Sequence, residues 1–496
     1  MRFLFIYSDV VYNSAGRFQR GVASLSAALK QRGHNVSLLV VNRIPDDPSE
    51  LASSVKEAKP DMIGYSSISS QAPYVRKIAG MLKPLGIFSV WGGVHPTLDP
   101  EGSLLTDGID AVCLGEGDLA LPNFVDTYAR GGSVDQVESF YVKLKGNVIV
   151  RNRIAPVPED LDALPFPDYD LWPYEKTDDY LYTKALFVQT SRGCPFNCSY
   201  CGNNALRRIY PNAREYMRFR SVESVMRELE YLKKKYPDAR EVRFIDDTLS
   251  SSTKWFREFC TQYKQRIGLP WSTNDRAEYI TEEKADMYRD AGCLAVDMGI
   301  ESGNDMIRQK VMKRKVKRET IINAFSRLQK RGLHVHAFNI LGMPHETFDT
   351  ILDTIKLNAR CKPSIYWNAY FHPFISTDAY TMSIELGLIQ QGDHELPTSL
   401  AERPVMRLPG VSESEVMFLY KFFPILVGYY KAVFVITGKD TGWMVTMADW
   451  VVKHIPAKRL LNALYHTRAD IKRKYPVLSK YIVKVKRRVL ASEAHK

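Results

Sequence analysis

Cysteine is scarce in this chain: there are seven in 496 residues, and four of them, Cys113, Cys260, Cys293 and Cys361, stand singly. None of the four has a partner at close spacing, which argues against a disulfide framework and points to a reducing, cytoplasmic compartment. They read as buried, inert thiols. Long apolar runs are missing as well. The most apolar stretch, "VMFLYKFFPILVGYYKAVFVIT", is interrupted by Lys421, Pro424 and Lys431, whereas a spanning helix needs about twenty mostly uncharged residues. The start, "MRFLFIYSDVVYNSAG", has no cationic leader with a cleavage site and reads as a first buried strand. Nothing resembles a hydrolytic triad or a phosphate-cradling loop. Acidic residues are short in one segment only. From Val451 to Lys496, thirteen Lys or Arg face Asp470 and Glu493, so this stretch carries +11 of the formal +12. A tail of that kind faces phosphates, on a membrane surface or a nucleic acid, or is simply solvated. At 45% apolar and 25% charged residues, the chain as a whole is globular and long enough for two or three domains.

Three cysteines are not scattered. Cys194, Cys198 and Cys201 stand in "TSRGCPFNCSYCGN" at the spacing Cys-x-x-x-Cys-x-x-Cys. Three thiolates this close can wrap one loop around an iron–sulfur cluster. A zinc knuckle would need a fourth Cys or His nearby, and none follows within the next twenty residues. The motif, with Tyr200 before its last cysteine, resembles that of the radical S-adenosylmethionine (SAM) superfamily. The resemblance implies a [4Fe–4S] cluster on these three cysteines, with one open iron that chelates the amino and carboxylate groups of SAM. It further implies one-electron cleavage of the sulfonium to a 5′-deoxyadenosyl radical, with the electron supplied by a flavodoxin- or ferredoxin-type protein.

Ahead of the motif, strand and helix patterns alternate. "RFLFIYS", "NVSLLVV", "DMIGYSS", "IFSVWGG" and "DAVCLGEG" read as strands, and "FQRGVASLSAALKQRG" as a helix stopped at Gly33. Such spacing predicts an α/β fold with a doubly wound parallel sheet, whose ligands bind beyond the carboxyl ends of the strands. Those ends carry Ser66 and Ser67, Gly92 and Gly93, and Gly115-Glu116-Gly117, and glycine there lets a flat ligand approach the backbone. Placed before a radical SAM motif, this pattern resembles the Rossmann-like cobalamin-binding domain of cobalamin-dependent radical SAM enzymes. By that resemblance Ser67, Gly92, Gly93 and Glu116 line the slot for cobalamin. The loop "SDVVYNSAGRFQRG" has no His to ligate cobalt, and His95 is expected in a turn or ribose contact. Only Cys113 lies in this half, which argues against a methylthiotransferase with a second cluster.

"APVPEDLDALPFPDYDLWPYE", rich in Pro, Asp and aromatics, reads as an ordered linker. Beyond it the alternation resumes at barrel spacing, with "KALFVQTSRGC", "EVRFIDDTLS", "GLPWSTNDRA", "AVDMGIESGN" and "HVHAFNILGMPHET" as strands and their ends. The stretch resembles the partial (β/α)6 TIM-type barrel of radical SAM proteins. The expected organisation is 1–135 cobalamin-binding, 136–183 linker, 184–375 radical SAM barrel and 376–496 a mainly helical region with the basic tail. Carried over by motif, Glu301 and Ser302 of "GIES" meet the ribose and methionyl part of SAM, Gly202 and Asn203 its amino group, and Gly342 its adenine. Arg276 suits the carboxylate, since a guanidinium pairs with it in bidentate fashion. For Asp246, Asp247 and Arg276, a buried ion pair orienting the barrel top is an equal alternative. His334 and His336, two apart on a strand, are expected in the barrel interior.

The last 120 residues carry no motif. The apolar stretch is expected to form helices over the barrel mouth or in a membrane interface, and the basic run "AKRLLNALYHTRADIKRKYPVLSKYIVKVKRRVL" favours an anionic bilayer or a lipid-derived substrate. No RNA-binding module stands beside it, so nucleic acid is the weaker partner. The resemblance, which covers residues 1 to 375, implies a radical SAM enzyme that uses cobalamin to methylate an unactivated carbon of a small molecule. A radical-initiated cyclisation or rearrangement of a lipid or natural product is the alternative. A cobalamin or redox sensor without turnover is the third reading, and the SAM seat implied by "GIES" speaks against it.

Overall fold

The first strand sets the first layer. In β1 (Arg2–Ser8) every residue after Arg2 is buried, with Phe3, Phe5 and Tyr7 in one core and Leu4 and Ile6 in another. A strand buried on both faces belongs in the middle of a helix-covered parallel sheet. The computed structural model, which describes residues 1–10, 17–390, 397 and 399–455, bears this out. Parallel strands run in the order β2 (Asn35–Val41), β1, β3 (Met62–Ser66), β4 (Ser89–Gly92) and β5 (Ala111–Cys113). The sheet continues antiparallel through β6 (Phe140–Lys143) and β7 (Ile149–Arg151). This hairpin lies inside the stretch expected as linker. Its alternation is short, with Phe140 and Val142 buried between half-buried neighbours, and a turn through Gly146 at φ +75° returns the chain.

The ordered linker therefore follows Arg151. Tyr169, Trp172, Tyr174 and Tyr180 are all buried in a core shared with β1 and the barrel. Tyr169 stacks on Phe18 with ring centroids 5.1 Å apart.

The second sheet holds six parallel strands in chain order: β8 (Ala185–Val188), β11 (Glu241–Phe244), β12 (Trp271–Asp275), β13 (Cys293–Glu301), β14 (His334–Leu341) and β15 (Ile365–Tyr370). It does not close, as a partial barrel requires. A two-residue antiparallel ribbon, β9 (Ser191–Arg192) with β10 (Arg218–Phe219), leads into the cysteine motif. The crossover helix Val222–Lys235 shows why these segments fold as they do. Ser221 caps it by accepting from the Ser224 amide, Glu223 lies in its first turn, and Lys233–Lys235 close its last, matching the helix dipole at both ends. Val225, Met226, Leu229 and Leu232, three and four apart, face the core.

Helices Glu413–Lys421, Phe423–Thr437 and Trp443–His454 form a core of their own with helix Phe348–Cys361 and Tyr370. The first reaches the barrel rim, where Val416 stands 4.0 Å from the position of a Gly342 side chain. The others lie along the flank and not over the mouth. The first two meet at a bend of 69°, and among the described residues no single helix is long and apolar enough to cross a membrane. The basic run from residue 456 onward, and residues 11–16 of the loop after β1, lie outside the described residues.

Candidate active site

The cysteine loop is shaped by what its neighbours leave room for. Gly193 has φ +85°, and a Cβ there would stand 2.2 Å from the Tyr216 carbonyl oxygen, so the "RGC" step accepts only glycine. The loop then turns through Cys194, Cys198 and Cys201 into helix Gly202–Arg208. Its far side is pinned by Ser199, whose amide donates to Met312 at 3.0 Å and whose hydroxyl donates to Val311 at 2.6 Å. Cys198 is buried, while Cys194 and Cys201 are half-buried. Burial pushes the Cys194 thiol up to about 11 and that of Cys201 to about 12, and the neighbouring thiols add to both. Thiols held up in this way at Cys194 and Cys201 need cationic metal to hold them as thiolates, which is the fit expected for iron. In a cubane each thiolate takes a different iron, so the three sulfurs need not converge on one point.

The barrel top supplies a compact charged cluster. Arg276, at the end of β12, donates to Cys198 Sγ at 3.4 Å, pairs with Glu278 at 2.5 Å, and lies 3.5 Å from the Phe196 ring centroid. Glu301, at the end of β13, is a non-glycine residue at φ +60° beside a register irregularity. Such outliers concentrate at functional sites. Burial raises the Glu301 pKa against the pull of Arg314, whose Nη1 stands 3.7 Å from Oε1. Arg314, itself buried, also donates to the Gly299 carbonyl at 2.8 Å and to the Tyr200 hydroxyl at 3.5 Å. A Cβ on Gly299 would meet Glu301 Oε1 at 2.2 Å, which explains the glycine of "GIES". Both arginines retain a buried, unpartnered Nε. A buried pair of guanidiniums over an acid matches a ligand that bears carboxylate, amine and ribose hydroxyls.

Between the two sheets lies a cavity of about 370 Å³, within the range of small-molecule sites. Its floor reaches Phe3 and Phe5, its walls are Gly64, Gly92, Gly93 and Gly115–Gly117, and its roof is Gln189, Arg192, Asn203, Tyr216 and Asp247 from the barrel. Gly93 has φ +100°, and a Cβ there would meet Ser67 O at 2.8 Å. This glycine-walled, apolar slot fits a flat ring group carried on a polar chain, as in the nucleotide tail of cobalamin. Among the residues that line it there is no histidine. The slot is tied to the cysteine loop by Arg192. Its Nη1 donates to Glu116 at 2.8 Å and to Asp118 at 2.7 Å, and Nη2 donates to Asp118 at 2.9 Å. Burial alone would raise the Asp118 pKa, but Arg192 outweighs it and holds the carboxyl low.

Most of the sequence-derived residues come together, with instructive exceptions. Cys194, Cys198, Cys201, Tyr200, Arg276 and Glu301 form one group; Asn203, Gly92, Gly93 and Glu116 line the cavity. Ser66 lines it too, whereas Ser67 sits behind, its hydroxyl accepting from Trp91 Nε1 at 3.0 Å. Glu116 is spent on Arg192 and on Arg218. Ser302 is fully buried and caps a turn, accepting from the Asn304 amide at 3.3 Å. Gly342, at φ +92°, gives its amide to Glu346 at 2.7 Å. His95 is buried against Trp91, Arg76 and Ser69 and does not reach the cavity.

The carboxylates of "FIDD" part company. Asp246 takes four groups of Thr190 and Ser191 and fastens β11 to the β8–β9 turn. Asp247 lines the cavity, accepts from Asn203 at 3.1 Å, and is raised by burial to about 6. His336 is interior, 2.8 Å from Asp297, while His334 is exposed at the opposite end of β14 from the site. Arg314 and Arg192 escaped the sequence reading. In "VMKRKVK" the inward positions alternate as Met312, Arg314 and Val316, a signal that marks Arg314 as the one cation of the run that is not solvated.

Two family profiles match: "Radical SAM superfamily" over residues 188–357 and "B12 binding domain" over residues 17–125. An uncharacterized methyltransferase of Pyrococcus horikoshii is 28% identical over 80% of this chain and 84% of its own length. The anaerobic magnesium-protoporphyrin IX monomethyl ester cyclase of Rubrivivax gelatinosus is 28% identical, over 77% and 69%. The cytidylyl-2-hydroxyethylphosphonate methyltransferase of Streptomyces wedmorensis is 26% identical, over 65% and 68%. Among solved structures, the radical SAM methyltransferase TsrM of Kitasatospora setae superposes with a TM-score of 0.63 at 16% identity, over 79% of this chain and 78% of its own. The cobalamin-dependent radical SAM enzyme OxsB gives a TM-score of 0.67 at 16% identity, over 85% and 65%; both likenesses support the fold. The chain thus carries a B12-binding domain followed by a radical SAM domain, and relatives named as methyltransferases and a cyclase match it along most of its length.

Proposed function

We propose that this enzyme is a cobalamin-dependent radical SAM methyltransferase acting on an unactivated carbon of a small-molecule substrate. The observation that carries the reading is the shared cavity, in which the glycine-walled strand ends of the first sheet face Arg192, Asn203 and Asp247 beside the three-cysteine loop. Two of the relatives named above are called methyltransferases. One is called a cyclase, which keeps radical-initiated cyclisation as the alternative outcome of the test.

In this reading Cys194, Cys198 and Cys201 hold a [4Fe–4S] cluster. Arg276, Arg314 and Glu301, with Tyr200, Gly202, Asn203 and Gly342 around them, would seat SAM, Ser302 holding the turn beneath; Ser66, Gly92, Gly93 and Glu116 would border cobalamin, with Ser67 behind them. When bound, these groups supply a hydrogen-abstracting radical and a transferable methyl group. The chain's own part is orientation and dryness. Two guanidiniums would offset the carboxylate of the ligand, Glu301 would face its amine or ribose, and Phe196, its ring centroid 3.5 Å from the Arg276 guanidinium, would help to keep water out. An electron donor of flavodoxin or ferredoxin type would approach at Pro195 and Asn197, which are exposed in the turn between Cys194 and Cys198. Arg214, exposed beside Cys194 and without a carboxylate partner among the described residues, suits an acidic protein there.

The test is anaerobic reconstitution with iron, sulfide and cobalamin, followed by dithionite and SAM. Formation of both 5′-deoxyadenosine and S-adenosylhomocysteine, the latter dependent on cobalamin, supports methyl transfer. 5′-Deoxyadenosine alone, with cobalamin bound, favours cyclisation or rearrangement. Neither product, or products that persist in Cys198→Ala, would overturn the proposal.

A further inference from the structure

We propose that the outward face of the last two described helices docks on an anionic lipid bilayer, holding the enzyme at a membrane surface without spanning it. Helix Phe423–Thr437 is apolar on both its inward and outward faces, its one charge, Lys431, being half-buried at the side and held by the Tyr366 hydroxyl at 3.2 Å. Phe423, Leu426, Val427, Tyr430 and Phe434 are buried against the barrel flank. The opposite stripe, Pro424, Ile425, Gly428, Ala432, Val435 and Ile436, is exposed and has no charge. In a water-facing helix that stripe would be polar. Helix Trp443–His454 packs beside it and repeats the pattern. Val445, Ala448 and Val452 face inward, whereas Trp443, Met447, Trp450 and Val451, at successive helical spacings, face out. Ile436 and Trp443 are each 74% exposed, Val435 79% and Trp450 59%. Single exposed apolar residues are ordinary, but a contiguous patch with two tryptophans is not.

The charges around the patch choose its occupant. The two acids of these elements are turned inward: Asp440 pairs with Arg318 at 2.9 Å, and Asp449 with Lys356 at 3.0 Å and the Tyr430 hydroxyl at 2.6 Å. What remains at the border is Lys439 in the connecting turn and Lys453 in the last turn, the latter paired with Asp349 of the neighbouring helix at 2.6 Å. The chain then continues for 41 residues in which twelve Lys or Arg face two acids. Apolar residues with tryptophan at the level of the headgroups, followed by a run of cations, bind anionic bilayers through burial and charge together. A second copy of this chain on the same patch would bring two such basic segments together, which like-charge repulsion opposes.

The test uses the full chain, purified anaerobically, in flotation with vesicles of phosphatidylcholine alone or mixed with phosphatidylglycerol. The expected result is binding to the mixed vesicles that weakens with salt. In the variant Trp443→Ser/Met447→Ser/Trp450→Ser it should fall by about tenfold or more, while the melting point and dithionite-driven SAM cleavage stay at the parent's level. Parent protein that floats with neither vesicle would overturn the proposal. So would a variant that binds as tightly as the parent, which would assign binding to the basic segment alone. A dimer in sedimentation that the same substitutions dissociate would also overturn it, in favour of a second copy. None of these outcomes depends on which reaction the enzyme catalyses.

Discussion

Glu228 fastens the two halves of the molecule, and neutralising it tests whether their packing is as the structure has it. The residue lies on helix Val222–Lys235 of the barrel and is fully buried. Arg20, from the first helix of the N-terminal half, reaches it at 2.9 Å. The linker's Tyr169 donates to it at 2.6 Å, and Arg220 of the barrel completes the cluster. Burial alone would raise the glutamate pKa, but Arg20 and Arg220 together outweigh it and hold it at about 2, against an ordinary 4.5. That difference corresponds to about 3 kcal/mol of folding free energy at neutral pH. Glu228→Gln also leaves two arginines buried without their anion, a change that costs about 3–5 kcal/mol. At about 2 °C per kcal/mol for large domains, the apparent melting temperature falls by about 6–10 °C. Because the folded-state pKa is depressed, the contribution is complete above pH 4.5 and fades as pH falls toward 2. The melting points of parent and variant should therefore converge across that window. Arg20→Met added to Glu228→Gln removes one stranded cation and should recover part of the loss. Scanning calorimetry at pH 7 decides the matter: a variant that melts with the parent would refute the fastening.

Three further outcomes follow from the site. Gly93→Ala forces a side chain to within 2.8 Å of the Ser67 carbonyl at positive φ, a strain of about 1–3 kcal/mol, so cobalamin retained on gel filtration should fall about tenfold or more while iron content is unchanged. Arg314→Lys keeps the charge but not the fork that reaches Gly299, Glu301 and Tyr200; KM for SAM should rise by about tenfold or more with the cluster spectrum intact. Glu346 is buried with its pKa raised to about 8, so the folded chain holds a proton there that the unfolded chain releases above about 4.5. Stability then declines from about pH 4.5 to 8, and Glu346→Gln should melt higher than the parent at pH 8.5 and level with it at pH 4.5.

What was legible in the sequence is what local chemistry writes into short segments. Five strands of the first sheet, the three cysteines and the "GIES" turn each announce themselves within ten residues, because period, glycine placement and thiol spacing are local properties. The hairpin β6–β7 was not legible, since its strands of four and three residues are too short to establish a period. Arg314 was hidden in a basic run whose usual meaning is a solvated face, and Ser66 and Ser67 differ only in which side of one strand end they present. Ser302 and Glu116 illustrate a different limit. Both stand near the groups of the candidate site, but their side chains are spent on a turn and on two arginines, partners that no spacing reveals.

The juxtaposition of the two halves is what makes the site more than two ligand pockets. Each sheet offers the crevice beyond its strand ends, and those crevices would be independent if the halves merely shared a chain. Here the roof of one is the floor of the other. Arg192, two residues before Cys194, holds Glu116 from the loop after β5 and Asp118 from the following helix, and Tyr210, just beyond helix Gly202–Arg208, receives the Glu116 amide at 2.7 Å. The Ser376 hydroxyl, beyond the last barrel strand, donates to the Leu98 carbonyl at 2.7 Å on the far side of the same seam. Group transfer between ligands in the two crevices requires a fixed separation, and fixed separation requires charge pairs that are buried, because exposed ones would give with every fluctuation. Asp118, at 7% exposure, and Glu228, at 0%, are such buried anchors, placed where the cavity and the linker each cross the interface.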